Sequence, residues 1–69
     1  MEKTTRFIRE LETKGIRGAV YVESIDLYTK AVWVRSMVLP SDRNFIEGLL
    51  ERLGAWFDDM MGAWIIRDW

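Results

Sequence analysis

Between Phe45 and Ile65 the large apolar side chains all fall at helical spacing. Positions 45, 46, 49, 50, 53, 56, 57, 60, 61, 64 and 65 read Phe, Ile, Leu, Leu, Leu, Trp, Phe, Met, Met, Trp and Ile. The ten positions between them hold Glu, Arg, Asp, Gly and Ala, with no large apolar side chain. Recurrence at i, i+3, i+4 and i+7 marks an amphipathic helix, and here the phase holds for about six turns. In a chain of 69 residues no other feature restricts the fold as strongly. It predicts one helix over 42–66, with Ser41 as its N-cap and Asp42 favoured by the positive end of the helix dipole.

Glycine opposes this reading. Gly48, Gly54 and Gly62 each cost roughly 1 kcal/mol against alanine inside a helix. The rival arrangement ends the helix at Leu53, uses Gly54 as the stop and makes "AWIIRDW" a third strand, giving an αββαβ order. The unbroken apolar phase favours the single rod, because burial of the stripe outweighs the glycine penalty. On such a rod Gly48, Ala55 and Gly62 share one line, where small residues admit a neighbouring backbone.

Upstream, "TTRFIRELETKG" reads as a short helix with Phe7, Ile8 and Leu11 on its apolar edge. Thr4 or Thr5 is the expected cap and Gly15 the stop. The stretch "IRGAVYVESIDLYTKAVWVRSMVLP" is rich in β-branched and aromatic residues and reads as two strands turning near Asp26–Thr29. Centring the turn on Leu27 sets Val22 against Val32 and Val20 against Val34. One face then carries Val20, Val22, Val32, Val34 and Val38. The other carries Arg17, Tyr21, Glu23, Trp33, Arg35 and Met37, and Pro40 ends the second strand by withdrawing a backbone donor. The expected fold is therefore α+β, in the order αββα.

A helix over 42–66 is ~37 Å long at 1.5 Å per residue. A globule of this size has a radius of gyration near ~11 Å, so the rod overhangs its own domain and needs a companion. A domain this small also gains only ~3–5 kcal/mol from a single core. The chain has no cysteine and no histidine, which removes disulfides, thiolate sites, the commonest metal ligand and the commonest general base. Association is the support that remains, and a homodimer is expected, with helix against helix and hairpins joined edge to edge.

Ten basic and eleven acidic residues leave a net charge of −1, so no strong field draws the chain to nucleic acid or membrane. Residues 1–40 carry seven basic and five acidic groups, and residues 41–69 carry three and six. The polar opening "MEKTTRFIRE" predicts no signal peptide. No apolar run is long enough to span a bilayer, and the expected address is cytoplasmic. Ser24, Ser36 and Ser41 have no histidine or cysteine to activate them. Asp58 and Asp59, with Glu47 and Glu51, form an acidic helical face that splays its oxygens outward and suits solvent better than a metal. No enzyme activity, metal or cofactor is expected.

Two binding surfaces stand out. Tryptophan anchors and adaptable methionines recur where proteins meet. The partner-binding set is accordingly Trp56, Asp58, Asp59, Met60, Trp64 and Trp69. The alternative set is Arg17, Tyr21, Trp33 and Arg35, rings interleaved with guanidinium groups as on sheets that read single-stranded nucleic acid. The expected function is a small non-catalytic protein-binding module, a regulator or inhibitor that occludes a larger complex. Its size and composition resemble the small inhibitors of host defence or transcription machines encoded by phages and mobile elements. The alternative function is a dimeric binder of single-stranded nucleic acid.

Overall fold

The rod is not formed. In the computed structural model, which describes residues 2–68, the second helix runs only over Pro40–Arg52 (α2) and stops at Gly54. Gly54 has φ +82°, a left-handed conformation that a Cβ penalises. Glycine thus acts as a helix stop that the apolar phase fails to override. Beyond it the chain forms two strands, β3 (Trp56–Asp58) and β4 (Ala63–Arg67). Tryptophan 69, in the predicted contact set, lies outside the described residues. The observed order is αββαββ, so the expected αββα order is corrected and the rival αββαβ was one strand short.

The capping predictions also change. Helix α1 spans Lys3–Lys14 and α2 starts with Pro40 at its first position. Proline suits that position because its missing N–H would have been unpaired there and its φ is already helical. The N-cap positions fall to Glu2 and Leu39, neither with a side-chain bond, so Thr4, Thr5 and Ser41 do not cap. Thr4 instead meets the far end of the chain. Its N–H donates to Asp68 Oδ1 at 2.9 Å and its hydroxyl to Oδ2 at 2.6 Å. A carboxylate 64 residues away thereby satisfies a free donor in the first turn of α1 and faces its positive end. Gly15 ends α1 as predicted, with Ile16 N–H closing on Leu11 O at 2.9 Å.

The first hairpin holds the expected register. Strand β1 (Val20–Ser24) pairs antiparallel with β2 (Thr29–Val34), setting Val22 against Val32 and Val20 against Val34. β2 ends at Val34, well before Pro40, so the proline begins a helix and does not end a strand. Arg17 sits in a turn of 3-10 helix (Arg17–Ala19) ahead of β1. Strand β4 adds to the other side of β2, and β3 to the outside of β4, giving one four-stranded antiparallel sheet in the order β1-β2-β4-β3.

Both helices lie on one side of that sheet. Phe7 and Leu11 from α1 meet Ile46, Leu49 and Leu50 from α2 and Leu53 just beyond it, over Val20, Val32 and Ile66. These strand residues share a face because side chains alternate. Lys14 lays its ammonium 4.8 Å over the Phe45 ring and shields the seam between the helices. A two-stranded hairpin is marginal alone; β4 supplies the third strand within the same chain. The molecule measures 30 × 28 × 18 Å with a radius of gyration of 11.1 Å. Nothing overhangs, so helix length gives the chain no need of a companion. The line of Gly48, Ala55 and Gly62 is not formed either, since Gly48 lies in α2, Ala55 between elements and Gly62 in the β3–β4 turn.

Candidate binding face

The side of the sheet away from the helices carries the aromatic surface. Tyr21 and Trp33 are cross-strand partners whose rings lie 5.6 Å apart. Ala31, Ala63 and Ile65 form a small buried cluster beside them, with Trp33 packed against it. Trp33 Nε1–H reaches across to Met61 O at 3.1 Å, so its ring lies over the small residues of the sheet and holds the β3–β4 turn. On the far side of Ile65 stands its pair partner Trp56, about half exposed, with the Arg67 guanidinium 5.9 Å from its ring centre. The result is a floor of Ala31, Ala63 and Ile65 buried beneath Trp33, with Tyr21 and Trp56 half exposed on either side. No helix covers it.

Turn chemistry sets this surface up. Asp58 Oδ1 accepts from Met60 N–H at 2.9 Å and Met61 N–H at 3.2 Å, an Asx turn that reverses the chain. Gly62 closes it with φ +68° and a bond from its N–H to Asp58 O at 2.8 Å. Asp26 does the same in the first hairpin, accepting Tyr28 N–H at 2.9 Å. That donor holds the Asp26 carboxyl below its ordinary value of 3.8, helped by Thr29. Tyr21 donates its hydroxyl to Glu23 Oε2 at 3.1 Å, and this bond with the nearby carboxylate pushes the phenol above its ordinary 10.0. The face therefore carries few charges, and Glu23, Asp58 and Arg67 each lie against a neighbouring group.

The two predicted residue sets are split by the fold. Trp56 is on the open face, but Trp64 is on the helix side, half-buried against the core and edge-on to Phe57 at 5.7 Å. Asp58 is committed to its turn, while Asp59 and Met60 are exposed at the tip. In the alternative set, Tyr21 and Trp33 do stand together. The two arginines do not join them: Arg17 Nη1 reaches Val20 O at 3.4 Å and Arg35 Nε donates to Gly18 O at 2.9 Å, both at the end of the sheet. Arg35 there borders an open depression of about 370 Å3 with Ile16, Val38, Leu39 and Asp42. Sequence reading missed Ile65, Met61 and Arg67 as members of the face. Ile65 and Arg67 lie two apart in the strand "AWIIR", a spacing hidden by the helical phase, and Met61 joins them through the turn before it.

Among the described residues no cluster of potential metal ligands is present, and no helix is long and apolar enough to cross a membrane. Compared with protein-family models, curated proteins and solved structures, the chain matches none of them.

Proposed function

We propose that this chain is a small non-catalytic protein-binding module whose open sheet face docks on a larger protein assembly and occludes it, as a regulator or inhibitor. The observation that carries this reading is the one-sided sheet. Two helices cover one face, while Tyr21, Trp33, Trp56 and Ile65 lie together on the other. Large amphipathic rings around a small apolar floor are the usual make-up of a protein-binding hot spot. The near absence of free charge favours a protein over nucleic acid, whose phosphates require a track of cations. Arg17 and Arg35, the cations that reading needed, lie at the end of the sheet.

The test is capture from the native host's extract with the tagged chain and two surface variants, Tyr21→Ala and Trp56→Ala. The expected result is a defined protein partner held by the unaltered chain and lost by both variants. A fluorescent single-stranded oligonucleotide is titrated in parallel. Micromolar binding to it that weakens steeply with salt, with no protein partner captured, overturns the proposal.

A further inference from the structure

The sheet has two edges, and they differ. β3 is three residues long and ends in an Asx turn, so it offers little backbone. β1 is five residues long, reads "VYVES", and has no proline, lysine or bulge to guard it. The parity of its hydrogen bonds is fixed by Arg35 N–H donating to Ala19 O and Ile25 N–H donating to Thr29 O, both at 2.9 Å. Residues 19, 21, 23 and 25 therefore bond to β2. Val20, Val22 and Ser24 aim their N–H and C=O groups away from it. Among the described residues no strand lies beyond them, and only Val20 O is engaged, by Arg17.

We propose that two copies of this chain join β1 to β1, antiparallel about a two-fold axis at Val22, into one eight-stranded sheet. In that register Val22 faces the partner's Val22 and Val20 faces the partner's Ser24, giving about four backbone hydrogen bonds to free groups and two more in which the partner's Ser24 N–H shares the two lone pairs of Val20 O with Arg17. Tyr21 then stands opposite the partner's Glu23. Charge selects both the occupant and the direction. The leading end of β1 carries Arg17 and Arg35, the latter beside Ala19 and Gly18. The trailing end carries Glu23 and Asp26, while Lys30, opposite Ser24, is turned to the helix side and lies 3.9 Å from Asp68. Antiparallel pairing sets the basic end of one copy against the acidic end of the other, twice, whereas parallel pairing sets like against like. A surface complementary to itself under a two-fold rotation is what a closed dimer requires. The helices of both copies fall on one side and the aromatic faces merge on the other. The dimer does not depend on the protein-binding role proposed above.

Sedimentation from micromolar to submillimolar concentration tests this. The expected species is a concentration-dependent dimer of about twice the 8.2 kDa chain. Ser24→Pro removes an outward donor from an exposed residue and leaves the β1–β2 bonds intact, so it should weaken the dimer about thirtyfold, two symmetry-related bonds being lost. Arg17→Glu should weaken it about tenfold, and Arg17→Glu with Glu23→Arg should restore it to within about threefold. Circular dichroism confirms that each variant is folded, and if Ser24→Pro is not, the charge swap decides. A chain that stays monomeric throughout, or a dimer indifferent to both arms, overturns the proposal. Ser24→Pro leaves Tyr21, Trp33 and Trp56 in place, so captured proteins should survive it even where the dimer does not.

Discussion

Ile65 and Ile66 are neighbours in the chain and buried to a similar degree, yet they do different work. Ile66 points to the helices and sits in a core completed by Phe7, Leu11, Ile46 and Leu50. Ile65 points the other way, onto a floor of two alanines shielded mainly by Trp33. One face of the sheet is closed by secondary structure and the other only by its own long side chains. Small residues make the second arrangement possible. Ala31 and Ala63 keep the floor low enough for a single indole to lie across it, and that indole is fastened by one bond to Met61 O. The helix face holds the larger core, and in the function proposed above the open face exchanges its own cover for another protein's.

The sharpest way to break that comparison is to truncate the two isoleucines separately. Buried Ile→Ala substitutions cost about 2–5 kcal/mol, more where surroundings cannot collapse into the space. Ile66→Ala should fall in the upper half of that range. A domain of this size has about that much to lose, so the variant should be largely unfolded at 25 °C by circular dichroism. Ile65→Ala, where Trp33 can settle into the vacated space, should lose about 2 kcal/mol, the lower end of that range, and remain folded. Equal losses would mean that the open face is as rigid a core as the other, which would count against its exchanging cover.

Next in size are the two features that bring the second hairpin into the sheet. Asp68→Asn removes the charge that accepts from Thr4 N–H and Thr4 Oγ and lies 3.9 Å from the Lys30 ammonium. A hydrogen-bonded buried charge lost in this way costs about 1–3 kcal/mol. Gly54→Ala should cost about 1–2 kcal/mol through its left-handed φ. Space is not the reason, since an added Cβ meets only the end of Lys3, at 3.5 Å. Urea titrations read both. In the Gly54→Ala chain, amide exchange should quicken in β3 and β4 before β1. If it quickens uniformly, the second hairpin is not a separable unit.

How far this was legible in the sequence depends on which hairpin is considered. In the first, alternation of Val20, Tyr21, Val22 and Glu23 against Val32, Trp33 and Val34 fixed the register, because one face had to be apolar throughout. In the second, both faces are apolar. Trp56 and Ile65 go to one side while Phe57 and Trp64 go to the other, so alternation disappears. Trp56 and Trp64 are eight residues apart, close to two helical turns, and the pairs Trp56-Phe57, Met60-Met61 and Trp64-Ile65 fall four apart. A four-residue turn between two-sided strands thus imitates a helical face. Left-handed glycines at 54 and 62 distinguish the two, and their weight is conformational, invisible to an apolar count. Asp68 could not have been assigned to Thr4 at all, since nothing local links positions 64 apart. Tyr21 and Trp33 were legible as a pair. Their separation from Arg17 and Arg35 was not, because the arginines leave the sheet just beyond the strand ends.

The smallest expected effect bears on the open face alone. Tyr21 is an exposed phenol whose proton is retained by the bond to Glu23 and by that carboxylate's charge. A folded-state pKa above the ordinary value means that the neutral phenol favours the folded chain. That contribution is complete below the ordinary pKa of tyrosine and disappears as pH rises through the folded one. In a Tyr28→Phe background, where Tyr21 is the sole tyrosine, phenolate absorbance should appear above pH 10. Adding Glu23→Gln should bring it back toward the ordinary range, since the neutral amide supplies no charge. By the same linkage, Glu23→Gln should lower stability slightly at pH well below 10, and the difference from the parent should vanish as the phenol ionises. If the two titrations coincide, the Tyr21–Glu23 bond does not persist in water. If they differ and the gap widens with protein concentration, the partner's Glu23 has joined the first, as the antiparallel β1 register requires.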